Sequence, residues 1–356
     1  MAQNGMLDLR MMLDNSVHRF GSRPAFMQKV DKKYISYSYR RFRRDVFALG
    51  EALCADGGLT GRTVMLAGES CYRFAVVGMT VLCGGGQLLP ADGTLPAQTL
   101  AKVAEQNGAT VLFCTAAVKR ELILSGTTLR CFSFEDVPTM IADGMELIAA
   151  GGRSYADVTI DPEAPAVRFL LPEKSGGYRL IVRTQRAILS ETENMSHMLQ
   201  IGAEDVFLNV LPLFRMDSLI RGLFFPLCRG ACVAFAEGLY VVLKNLREVR
   251  PTAIVCVPHF LKALYDRLFV YACKQKGQTY TRRILAITDR IYPPHLRMLV
   301  KRHVFGEVHA CVGGRLRFLI CVGMPADPSV SHGLWAFGLP VVYGCGAGRA
   351  LPEKRL

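Results

Sequence analysis

Short apolar runs alternate with stretches of helical periodicity along almost the whole chain, and that alternation restricts the fold to a layered α/β architecture. From Tyr39 to Cys54 the residues Phe42, Val46, Leu49 and Leu53 recur at helical spacing, with arginines on the other face. This predicts an amphipathic helix. The turn Gly57-Gly58-Leu59-Thr60-Gly61 then leads into a strand over Thr63 to Ala67, a helix from Ser70 to Leu82, and a strand from Gln87 to Pro90. A helix from Pro96 to Asn107 and a strand from Thr110 to Cys114 follow. Strands joined through helices by short loops imply a mostly parallel sheet with helices on both faces.

A second alternation starts after an irregular stretch, Phe132 to Pro165, which contains Gly151-Gly152 and Asp161-Pro162 and reads as a connection. Strands are expected at Ala166 to Leu171, Leu180 to Arg183, Val206 to Leu211, Ala231 to Ala236 and Ala253 to Val257, and again at Arg317 to Val322 and Pro340 to Tyr343. Helices are expected at Ala187 to Met198, Ser218 to Leu227, Val241 to Val249 and Pro258 to Tyr271, with a basic helical region running to about Val304. The organisation is therefore two α/β subdomains, 1–165 and 166–356.

With 356 residues, 51% hydrophobic and 21% charged, the chain can bury a large core and is not disordered. Its 12 cysteines, among them Cys54, Cys83, Cys114, Cys256 and Cys321, are scattered through apolar runs without a CxxC pair or metal-ligand spacing. They read as small buried hydrophobes in a reducing compartment, with no metal site. Asp8, Arg10 and Asp14 interrupt the opening segment, so no secretory signal is expected and cytoplasm is the default location. The uncharged stretch from Phe74 holds Gly84-Gly85-Gly86 and Pro90 and is too short in apolar length to span a bilayer.

A net charge of +13, dense at Arg40 to Arg44 and at Arg282-Arg283, favours anionic partners. No zinc-finger spacing, basic zipper or aromatic RNA-binding pattern accompanies it, so no nucleic-acid partner is expected. A solvated helix face and an acidic membrane surface remain as readings of the arginine run. One loop invites a chemical reading. Between Phe169 and Arg183 the sequence FLLPEKSGGYRLIVR sets Ser175-Gly176-Gly177 before Arg179, between two apolar runs. Small residues let backbone N–H groups approach an anion and a cation can offset its charge, yet the same pattern also describes an ordinary hairpin turn.

Longer blocks carry a resemblance. They are the segment from Tyr34 to Tyr39 before the ALGEAL helix, MLAGESCYRFAVVGMTVLCGGGQLLPADGTLP, DVFLNVLPLFRMDSLIRGLFFPLCRGACVAF, RPTAIVCVPHFLKALYDRL, and GGRLRFLICVGMPADPSV followed by LPVVYGCGAG. In that order they resemble the large N-terminal domain of the adenylate-forming, AMP-binding superfamily, and within it the long-chain fatty acyl-coenzyme A ligases. The resemblance implies that domain's fold, two mostly parallel β-α-β subdomains with helices on both faces, and a chain that stops at Leu356 before the C-terminal lid domain. It also implies ATP-dependent activation of an acid to an acyl-adenylate and transfer to a thiol, with ATP or AMP, Mg²⁺ and coenzyme A as the family's cofactors and a fatty acid or acyl-adenylate as ligand.

Residue by residue, the resemblance puts the family's phosphate loop at Ser175, Gly176 and Gly177; anchored on the helix that follows, Arg179 falls where a Lys is usual and Gln185 where a His is usual, and anchored on Ser175-Gly176 the loop is about three residues short. The family's Thr-Thr pair is missing. The acyl pocket is implied at Phe214 and Arg215, the latter in place of a His, and at Val257 and Pro258, while Phe214 also reads as a core aromatic. The adenine side is implied at Gly323, Met324 and Pro325 and at Tyr343-Gly344, but the Thr and Glu of the family's Tyr-Gly-x-Thr-Glu motif are Gly346 and Ala347 here. Without that carboxylate a hard oxygen ligand for Mg²⁺ is lost. No residue is assigned a catalytic or metal-binding role. The expectation is a truncated or degenerate ligase homologue with impaired catalysis, or a non-catalytic acyl- or nucleotide-binding module, either of them able to sit at a membrane surface.

Overall fold

A computed structural model describes residues 7–173, 177–277, 300–301 and 303–343. Helix α1 (Leu9–Phe20) starts where the Asp8 carboxylate accepts the Met11 N–H, satisfying one of the first-turn donors that have no partner within the helix. Strands β1 (Pro24–Val30) and β2 (Lys33–Ser38) follow. Between them Asp31 and Lys32 both take positive φ, 47° and 68°, the geometry of a tight hairpin turn. Helix α2 (Tyr39–Ala55), capped by the Ser38 hydroxyl, buries Phe42, Val46, Leu49 and Leu53, the stripe its spacing predicts.

The next strands and helices occupy the expected places within a few residues: β3 (Thr63–Ala67), α3 (Tyr72–Cys83), β4 (Gln87–Ala91), α4 (Ala97–Gln106) and β5 (Ala109–Cys114). Then come α5 (Ala116–Leu124), β6 (Arg130–Ser133) and α6 (Val137–Ala149), so part of the stretch expected to be irregular is regular. The reason lies in two residues that look like breakers. Pro138 sits in the first helical turn, where no N–H is required, and Gly144 lets α6 touch α2. A Cβ at Gly144 would lie 1.8 Å from the Ala48 carbonyl oxygen.

β7 (Pro165–Pro172) runs parallel to β4, and β8 (Tyr178–Thr184) returns antiparallel beside it, completing a six-stranded sheet of order β6-β5-β3-β4-β7-β8. After α7 (Gln185–Met198) and β9 (Val206–Asn209), the apolar helix expected over Ser218 to Leu227 is instead three joined pieces. These are α8 (Met216–Leu219), a π-helical turn over Ile220–Phe224, and α9 (Phe225–Cys228). Pro226 has no N–H to donate one turn back and its ring crowds that carbonyl, which suits a widened turn there.

β10 (Cys232–Phe235), α10 (Val242–Val249), β11 (Ala253–Cys256), α11 (Pro258–Lys276), α12 (Gly306–Cys311), β12 (Phe318–Cys321), α13 (Pro328–Ala336) and β13 (Val341–Tyr343) complete the described elements. The second sheet has seven strands in the order β13-β12-β11-β9-β10-β1-β2. Most of the region between α11 and α12, including Arg282-Arg283, lies outside the described residues.

Contacts group the chain into two units. The first comprises 1–28, 35–203 and 212–232, and the second 29–34, 204–211 and 233–356. Within the first, the Arg10 guanidinium donates to the carbonyls of Cys83, Tyr155, Ala156 and Val158, fastening α1 to the loop after α6. Within the second, β9, β11, β12 and β13 are joined by parallel ladders.

Candidate functional site

Three adjacent parallel strands of the second unit end level with one another. Cys256, Cys321 and Tyr343 are register partners on β11, β12 and β13. Open parallel sheets bind ligands beyond the carboxyl ends of their strands, because the loops there are free to vary while the strands hold them in place. Beyond β11 lie Val257 and Pro258, both half-buried, with Val257 capping α11 and Pro258 in its first turn. Beyond β12, the Val322 N–H extends the ladder to the Cys256 carbonyl at 2.9 Å. The chain then bends at Gly323, whose φ of 81° suits a residue without a Cβ. Met324 is 78% exposed, Pro325 is exposed, and Ala326 returns to the interior.

Tyr343 ends β13 half-buried, and its hydroxyl hydrogen-bonds to that of Ser331 on α13. The implied adenine-side residues Gly323, Met324, Pro325 and Tyr343 are thus brought to one edge with Val257 and Pro258, while Gly344 lies outside the described residues. Ser331 was not among the expected residues. Its signal was weak: Asp327-Pro328-Ser329 reads as a helix start, and Ser331 stands four residues after the capping acid.

In the first unit the implied residues fall in two places. Gly177 (φ 92°) leaves the β7–β8 turn, where its carbonyl accepts the Glu173 N–H at 3.1 Å; Ser175 and Gly176 lie outside the described residues. Arg179 is exposed on β8, opposite Leu171. Phe214, half-buried, and Arg215, exposed, lie in the loop before α8, which is held by the Leu213 N–H donating to Ser70 Oγ at 2.8 Å. Arg215 caps α8 through its backbone. Gln185 is only 2% exposed. Its Oε1 accepts from Leu9 N–H at 2.8 Å and its Nε2 donates to the Leu82 carbonyl at 2.9 Å, so it joins three elements of the core.

The arginine run on α2 is largely spoken for. Arg41 and Arg44 pair with Asp45, and Arg43 pairs with Asp14 and lies over the Phe47 ring. No helix among the described residues is long and apolar enough to cross a membrane. The buried thiols are chemically quiet, since loss of water pushes Cys114, Cys228 and Cys232 up to about 12 and Cys321 up to about 11.

Among the described residues no group of three or more His, Cys, Asp or Glu side chains is placed to hold a metal ion. The acid beside the strand ends, Asp327, accepts the Ser329 N–H at 2.8 Å as the cap of α13, and Gly346 and Ala347 have no side-chain oxygen.

An adenylate-forming type of domain is what this two-sheet fold and strand-end site define. The family model described as "AMP-binding enzyme" matches residues 13–166 and 179–347, and the chain belongs to that family. The match breaks over β7 and the turn that follows it.

Human long-chain-fatty-acid–CoA ligase 1 is 22% identical over 339 residues, covering 85% of this chain and 47% of that protein. A 4-coumarate–CoA ligase from Pinus taeda is 26% identical over 259 residues, 68% of this chain and 46% of that protein. The chain spans about half the length of these relatives. Among solved structures, the adenylation domain of a carboxylate reductase from Mycobacterium chelonae superposes with a TM-score of 0.75 at 17% identity, covering 98% of this chain and 59% of that one. The N-terminal domain of FACL13 from Mycobacterium tuberculosis gives 0.69 at 16% identity, covering 97% and 76%. The fold is therefore the mixed, mostly parallel two-sheet fold of adenylate-forming N-terminal domains.

Proposed function

We propose that this chain is the nucleotide- and acyl-binding part of a long-chain acyl-coenzyme A synthetase-like protein, and that by itself it binds ligand without completing Mg²⁺-dependent adenylation. The observation that carries the reading is the strand-end cluster, in which Tyr343 and the Gly323-Met324-Pro325 bend offer a face and a backbone edge to a base while neighbouring positions lack a metal-binding carboxylate. Adenylation develops negative charge on phosphate, and such chemistry depends on fixed cations and donors aimed at that charge. Here Arg179 is the cation that the sequence resemblance suggests for that role, and its planar fork differs from the compact ammonium of a Lys.

The break in the family match over 167–178 spans the implied phosphate loop and supports altered chemistry there. Phe214 and Arg215 of the first unit, and Val257 and Pro258 of the second, are the residues proposed for the acyl group, with a fatty acid or acyl-adenylate as ligand. Coenzyme A and ATP are the family's co-substrates, and AMP is the fragment this residue set fits best.

The test pairs binding with turnover. Thermal denaturation with AMP, with ATP and with a long-chain fatty acid is expected to raise the midpoint for at least one of them, independently of Mg²⁺, because a ligand bound only by the folded state stabilises it. Pyrophosphate exchange dependent on fatty acid and Mg²⁺ is expected to be absent. Robust exchange by the purified chain refutes the loss of adenylation, and unchanged midpoints with all three ligands refute the binding site.

A further inference from the structure

The six-stranded sheet ends on an unusual edge. β8 pairs with β7 on one side, and among the described residues no strand pairs with its other side, which leaves a row of backbone donors and acceptors open. Along it Tyr178, Leu180 and Val182, alternate residues that share a face, are 42%, 37% and 41% exposed. That face is continuous with the interior. Leu180 stands opposite Leu170, which packs on the core formed by β3, β4, β5 and α4. On the other face of β8 are Arg179 and Arg183. Among the described residues neither side chain has an ion-pair or hydrogen-bond partner, whereas the nearby Arg186 is paired with Glu163.

We infer that β8 is a docking edge for an extended segment of another polypeptide in which acidic and apolar residues alternate. The segment pairs with the open edge, its apolar side chains lengthen the Tyr178–Leu180–Val182 row, and its acids lie beside Arg179 and Arg183. A second copy of this chain fits worse. Antiparallel self-pairing in the register that keeps all of β8 places Arg179 opposite Arg183, and like charges directly opposite are destabilising. Arg179 is shared with the proposed phosphate loop, whereas Leu180, Val182 and Arg183 have no part in the nucleotide reading, so a change at Arg183 tests the docking edge separately.

The probe is a fluorescein-labelled peptide of alternating Glu and Val, titrated with the full chain and followed by fluorescence anisotropy. Saturable binding that weakens with salt is expected, and the corresponding Lys-Val peptide is expected not to bind. Arg183→Glu should raise the dissociation constant about tenfold, the effect of turning a favourable cross-strand charge pair into a repulsive one. The same Glu-Val peptide with alternate backbone nitrogens methylated cannot form the ladder and should lose binding to the unaltered chain, a control that needs no variant to fold. Equal binding of the methylated peptide, equal binding of the Lys-Val peptide, or a dimer of the free chain in light scattering overturns the proposal.

Discussion

Tyr343 and Ser331 show how a single contact positions a side chain of the proposed site. The tyrosine ring has a free rotor in isolation, and the Ser331 hydroxyl on α13 fixes where its phenol end lies. Tyr343→Ala is expected to weaken AMP binding about tenfold or more, since stacking of a base on an aromatic ring contributes about 1–3 kcal/mol. Ser331→Ala is expected to weaken it less, because the ring survives; calorimetric titration of both variants measures the order.

The buried cysteines make the opposite kind of prediction. With Cys228 pushed up to about 12 and Cys321 up to about 11 by burial, almost no thiolate exists near neutral pH. Alkylation by iodoacetamide, read by peptide mass spectrometry, should be orders of magnitude slower at these positions in the native chain than after denaturation. The motif residues were legible from sequence as positions. What Gln185 does was not, because a glutamine at a strand-to-helix junction gives no sign that both ends of its amide will be taken by the backbone of α1 and α3.

Between elements, close packing decides what periodicity leaves open. Helix α6 was hidden by Pro138 and Gly144, residues that locally argue against a helix, and it exists because α2 accepts its glycine face. Gly144→Ala should destabilise the chain by about 2–3 kcal/mol in urea denaturation, the cost of overpacking where backbone blocks the new methyl group. A polar cluster links the β1–β2 hairpin with α10: Lys29 pairs with Glu237 and Glu248, and Asn245 donates to Glu237.

The hydrogen bonds from Asn245 and Lys29 hold the Glu237 carboxyl below its ordinary value of 4.5. A carboxyl depressed in the folded state adds stability above its unfolded value, and that stability is lost as pH falls through the lower folded value. Glu237→Gln should therefore flatten the acid limb of the stability curve below pH 4.5 and leave its shape near neutrality unchanged, as followed by circular dichroism. The elements themselves were readable because apolar spacing is local. The π-helical turn was not, because it depends on how Pro226 sits within its own helix.

At the scale of the whole molecule, two parallel-rich sheets place loops at strand ends, and among the described residues β8 is one of the strands that stand at a sheet edge. Family membership follows from the order of the segments along the chain, which sequence carries directly. The alternation of apolar strands and amphipathic helices determined the fold class, and the residues standing at 175–179, 323–325 and 343–347 determined which chemical groups are present and which are replaced. Both are local properties of the covalent chain.

Tertiary structure alone decided that β11, β12 and β13 end in register, so that segments separated by scores of residues meet at one edge. It alone decided that the arginines of α2 are answered by Asp14 and Asp45, while among the described residues no ion pair or hydrogen bond holds the arginine side chains of β8. The physical reason is common to these cases. Strand pairing, burial and ion pairing join residues far apart in the chain, and no local spacing reports which distant partner arrives.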